Sequence, residues 1–108
     1  MLTLLSTLKQ ALILMPNKWG SVKPSNEFFS RELRFALGTD EVTGMRYASF
    51  PVTIGIADYE EFYRLSEEQY TLFLADTTVA LAFVKECRQH EHDDLLLEEP
   101  WANRGIGT

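Results

Sequence analysis

Residues 25–38 read SNEFFSRELRFALG, and the fold turns on whether that stretch is helix or strand. Phe29, Leu33 and Leu37 recur every fourth residue, as on one face of a helix. Ser25 or Asn26 would cap its start, and Gly38 would follow its end. Leu33, Phe35 and Leu37 also alternate with Arg34 and Ala36, the pattern of a half-buried strand. We read a helix, with strand as the alternative.

Past the turn-rich GTDEVTG, the segment MRYASFPVTIGI (45–56) is the clearest strand. Val52, Ile54 and Ile56 alternate with Thr53 and Gly55, and β-branched residues are frequent. Pro51 cannot donate to a ladder, which places this strand at an edge or breaks it there. A short ADY turn leads to EEFYRL (60–65), an aromatic-rich second strand expected to pair antiparallel with the first. Ser66 and Gln69 then form a capping box, and Tyr70, Phe73 and Leu74 give that helix its buried side. Asp76 caps the next helix, on which Ala80, Phe83, Val84 and Cys87 make one apolar stripe. Leu95, Leu96 and Leu97 fit either a last helical turn or a third strand.

Upstream, Leu5, Leu8, Ala11, Leu12 and Met15 predict an amphipathic helix over about residues 2–15, ended by Pro16. The run has Lys9 in its middle and no basic start or small-x-small site, so we do not read it as a signal peptide. The expected fold is α+β: about four helices packed on a small antiparallel sheet of two to three strands, in a single domain spanning 1–108.

The chain has 108 residues, 45% of them hydrophobic and 24% charged, which suits one globular core. A single cysteine makes no internal disulfide, so a reducing cytoplasm is expected. No apolar run reaches the roughly 18 residues of a membrane span. Charge is unevenly placed. Residues 1–57 hold six basic and four acidic side chains, whereas residues 58–99 hold three basic and twelve acidic. The acidic half would repel nucleic acid and suits a basic protein partner, or the basic half of a second copy.

The octet CRQHEHDD (87–94) gathers one cysteine, two histidines and three acids. If the helix runs through it, Cys87, His90, Glu91 and Asp94 share one side and His92 lies opposite, too few ligands for a zinc site. The better reading is a polar helix end, with Cys87 a small buried hydrophobe. The chain has no GxSxG elbow, HExxH pair or Gly-rich phosphate loop. Adjacent acids such as Glu60–Glu61 and Glu67–Glu68 point to different sides of a strand or helix, so they serve solubility rather than acid–base work. No catalytic residue, metal or cofactor is therefore assigned.

Two functional expectations remain. One is a non-catalytic binding protein acting through an acidic, aromatic-containing surface, immunity- or antitoxin-like, of the small bacterial type carried on mobile elements. Its partners would be a second copy of itself, as a homodimer, and a basic protein, not nucleic acid or membrane. The other is a small enzyme or ligand binder with a pocket at the sheet–helix boundary. Tyr59, Tyr63, Arg64, His90 and His92, with Trp19 and Trp101 in loops, are the candidate binding residues, because aromatic and polar anchors dominate recognition surfaces.

Overall fold

The computed structural model describes residues 21–54 and 57–99. Four strands follow one another as an antiparallel meander in the order β1 (Pro24–Ser30), β2 (Phe35–Asp40), β3 (Arg46–Ile54) and β4 (Ala57–Leu65). Two helices then close the unit, α1 (Glu67–Ala75) and α2 (Thr77–Arg88), followed by a 3₁₀ turn at Asp93–Leu95. The expectation of about four helices on two or three strands is overturned: among the described residues there are four strands and only two α-helices. The helix expected at 2–15 lies outside the described residues.

The helix expected over 25–37 is a β-hairpin, and its turn explains the misreading. Residues 31–34 form a tight loop in which Arg34 N donates to Ser30 O over 2.8 Å, the same five-residue closure that a helix repeats. Ser30 Oγ accepts from Leu33 N at 3.0 Å, as an N-cap would. Arg34, at φ 60°, then turns the chain back after one turn. The flanking residues pair across the hairpin, Phe28 with Leu37 and Phe29 with Ala36. A bulge between Asn26 and Phe28 interrupts the register.

Pro51 is not on an edge strand, because β3 lies between β2 and β4. It is tolerated for a local reason. Asp40 N bonds Met45 O, so the odd-numbered residues of β3 aim their backbone groups at β2. The β2–β3 register ends at Ala36–Ser49, and β2 itself begins at Phe35. Pro51 would therefore donate where no strand lies beside it, and its missing N–H breaks no ladder bond.

One face of the sheet packs on the helices. Phe35, Leu37, Ala48, Phe50, Val52, Tyr63 and Leu65 meet Tyr70 and Phe73 of α1 and Ala80, Val84 and Cys87 of α2. Phe50 stacks on Tyr63 with centroids 5.4 Å apart. Ser66 and Gln69 make the expected reciprocal box at the start of α1, and Asp76 caps α2 through Thr78 N and Val79 N. Leu74 departs from expectation: it is 38% exposed, and the buried side of α1 is Tyr70 and Phe73. On the far face Ala36, Tyr47, Ser49 and Phe62 are buried too, so β2 is buried on both faces. Gly38 is required there, since an added Cβ would lie 2.3 Å from Ser25 O and 2.6 Å from Tyr47 OH.

The leucine run after the octet forms a short helical turn and a single bridge rather than a third strand. Leu95 closes the 3₁₀ turn, while Leu96 bridges Tyr63 and Leu97 N donates to Phe62 O at 2.8 Å. The C-terminal segment thereby covers part of the outer edge of β4. No helix among the described residues is long and apolar enough to cross a membrane.

Candidate functional site

Strand β4 carries much of the acidic and aromatic material on which a site was expected. Its alternation sends Tyr59, Glu61, Tyr63 and Leu65 to the helix face, and Glu60, Phe62 and Arg64 to the far face. Glu61 is only 2% exposed. Tyr63 OH donates to its Oε1 at 2.7 Å, and Tyr59 OH donates to Oε2. The structure thus brings Tyr59 and Tyr63 together through a carboxylate that had been set down as a solubility feature. The signal was available in the sequence: Tyr-x-Glu-x-Tyr on a strand puts all three on one face. A buried carboxylate accepting from two phenols ties β4 internally, and Tyr63 OH also lies 3.3 Å from Cys87 O.

The other candidates do not converge on that cluster. Arg64 is exposed on the opposite side of the sheet from Tyr63. His90 is exposed, and His92 is half-buried with its ring stacked on Phe83 at 5.0 Å and Nε2 2.7 Å from Glu86 Oε1. Trp19 and Trp101 lie outside the described residues.

The octet is not one continuous helix, which corrects the wheel on which its ligand set was drawn. Helix α2 ends at Arg88, and His90 takes a left-handed φ of 64°. His90 N bonds Cys87 O at 2.9 Å and Glu91 N bonds Glu86 O at 3.1 Å, the paired closure of a Schellman end. His92 is therefore swung back over α2 to Glu86. Among the described residues no three His, Cys, Asp or Glu side chains come together as a metal would need. Cys87 is fully buried, and burial, followed by the charges of Glu86 and Asp93, pushes its thiol well above the ordinary range. Such a thiol is a poor nucleophile at neutral pH.

Two surface features had not been foreseen. On the helix layer, Leu72 is 49%, Leu74 38% and Val79 37% exposed. Exposed acids accompany them: Glu67 and Glu68 in the first turn of α1, Asp76 at the junction and Glu86 on α2. Glu68 lies one turn before Leu72 on the same helix face. The second feature is a cleft of about 190 Å³ on the far face, at the β1–β2 turn, lined by Phe29, Ala36, Ser49, Pro51 and Glu60 and closed by Arg31 and Arg34. Leu72, a leucine outside the expected stripe, marks the first, but nothing marks the second in the sequence, because its residues meet only through strand pairing.

Comparison with protein-family models, with curated proteins and with solved structures finds no match to this chain.

Proposed function

We propose that this chain is a non-catalytic binding protein whose helix layer receives a basic protein partner. What supports the reading is Leu72, an aliphatic side chain 49% exposed on a helix whose first turn carries two exposed carboxylates. Apolar anchors ringed by one sign of charge suit a partner of the opposite sign, with the anchors giving affinity and the charges steering encounter. Val79 and Glu86 extend the same chemistry onto α2. A reducing, cytoplasmic setting goes with this reading, in keeping with a single buried, unpaired Cys87.

Affinity capture from lysate of the source cells tests it, with wild type beside Leu72→Glu and Glu68→Lys. Both positions are exposed, so the variants keep the fold. A basic protein held by the wild type and lost by both variants is the expected result. No basic protein, or the same proteins on all three baits, contradicts the proposal.

A further inference from the structure

The cleft on the far face owes its hollow to two small residues in one cross-strand row. Ala36 on β2 pairs with Ser49 on β3, and together they form the floor. Phe29, the partner of Ala36 on β1, makes one wall. Pro51 and Glu60, paired across β3 and β4, make the other.

Three observations at this place agree. Ser49 is 1% exposed and its Oγ has no hydrogen-bond partner. A buried hydroxyl without a partner has given up water for nothing, so an acceptor entering the cleft would be favoured. Phe29 is 64% exposed, more than any other described large hydrophobic residue. Its ring offers an apolar wall to whatever occupies the floor. Cations also gather at this corner of an acidic chain. Arg31 and Arg34 close the end of the cleft. Arg88, behind them, lies 5.3 Å from the ring of Phe50 and donates to Leu33 O and Arg34 O. Glu32 on the turn and Glu60 on the far wall are the acids nearby. A guanidinium presents a planar fork that matches a carboxylate, and Arg31 is placed to offer one.

We propose that this cleft binds the carboxylate of a small apolar molecule. Arg31 and Ser49 hold the carboxylate, while Phe29 and Pro51 flank the apolar body. Two sources share that chemistry, a plain monocarboxylate and a free amino acid, and Glu60 separates them because only an amino acid brings an ammonium to meet it. The site lies across the sheet from the helix layer, so it stands or falls apart from the protein-binding reading.

Phenylacetate is the probe, titrated into the full chain at low salt while backbone amide shifts are followed by NMR. Saturable shifts centred on Phe29–Ala36, Ser49, Phe50 and Glu60 are expected, with 2-phenylethanol binding far more weakly. Ser49→Ala should keep the fold, since it removes a hydroxyl that bonds nothing, and should weaken phenylacetate roughly tenfold. Arg31→Gln, on the exposed turn, should weaken it by a similar factor. L-phenylalanine binding more tightly than phenylacetate, with the advantage lost in Glu60→Gln, identifies an amino-acid site, and the reverse order identifies a monocarboxylate site. Shifts that do not saturate, equal binding of 2-phenylethanol, or wild-type affinity in both variants overturns the proposal.

Discussion

His90 holds a left-handed backbone, φ 64°, at the position of a Schellman end where glycine is the usual residue. A Cβ there costs roughly 1–2 kcal/mol, partly offset by the greater freedom glycine brings to the unfolded chain. His90→Gly should therefore raise stability by about 1 kcal/mol in a denaturant melt; a loss would mean that the imidazole makes a contact worth more than the strain. Gly38 and Gly44 give the opposite pair of tests. Gly38→Ala drives a methyl into Ser25 O and the Tyr47 ring, so its melt should move far more than that of Gly44→Ala, where φ is +78° but nothing lies within 4 Å. Overpacking of that kind typically costs 1–3 kcal/mol. Phenol titration adds a pH signature. Burial first, and then the charge of Glu60, raises Tyr47 to about 12, while burial and the bond to Glu27 raise Tyr70 to about 12. Both folded values lie above the unfolded one, so their contribution is whole below about pH 10 and is lost as pH rises through about 12. Ultraviolet titration should show Tyr47 and Tyr70 ionising late, with their release coinciding with loss of fold; complete ionisation near pH 10 without unfolding would refute it.

The element that sequence periodicity missed is the β1–β2 hairpin, and the reason is physical. Its turn makes one helical closure, from Ser30 O to Arg34 N, so the local signals of cap and i,i+4 spacing were real but lasted one turn. What overrode them was long-range pairing with β3, which no local pattern reveals. The strand at 46–54 was legible through its alternation and that at 60–65 through its aromatic content, but residues 57–59, read as a turn, belong to β4. Ser66, Gln69 and Asp76 were legible because a cap is written within four residues. Leu74 was misplaced because α1 stops at Ala75, before its stripe continues. The end of α2 was illegible for want of a glycine. Of the candidate site, Tyr59 and Tyr63 were chosen in sequence but Glu61 between them was not, and the cleft residues come from all four strands and a turn. Two helix residues grip the hairpin: Tyr70 through Glu27, and Arg88 through Leu33 O and Arg34 O at 3.0 and 2.9 Å. Arg88→Lys should cost about 2 kcal/mol and speed amide exchange at Arg34, because the lysine nitrogen sits one bond nearer the backbone than Nη2, which makes both bonds. Unchanged exchange at Arg34 would show that the turn stands without it.

At the scale of the molecule, both sheet edges carry, among the described residues, features that discourage strand pairing with a second copy. Leu96 and Leu97 occupy part of the β4 edge, while β1 begins with donorless Pro24 and is interrupted by its bulge. Light scattering at high salt should accordingly give the monomer mass; a dimer persisting there would mean that an edge pairs despite these devices. Association driven by charge is a different matter, since exposed pairs are screened within about 10 Å at 0.1 M salt. In the proposed partner surface Leu72 and Val79 serve as anchors and the exposed acids Glu68 and Asp76 as rim, beside Glu67 and Glu86, which also pair with Arg46 and His92. The division of labour between rim and anchor has a measurable form. The captured partner should be titrated against the wild type by calorimetry, and its association followed by stopped flow, at about 50 mM and about 500 mM salt, a range that cuts the screening length roughly threefold. An affinity that falls at least about tenfold, mostly through slower association, is the outcome expected of an acid-rimmed surface. An affinity and an association rate indifferent to salt would contradict it.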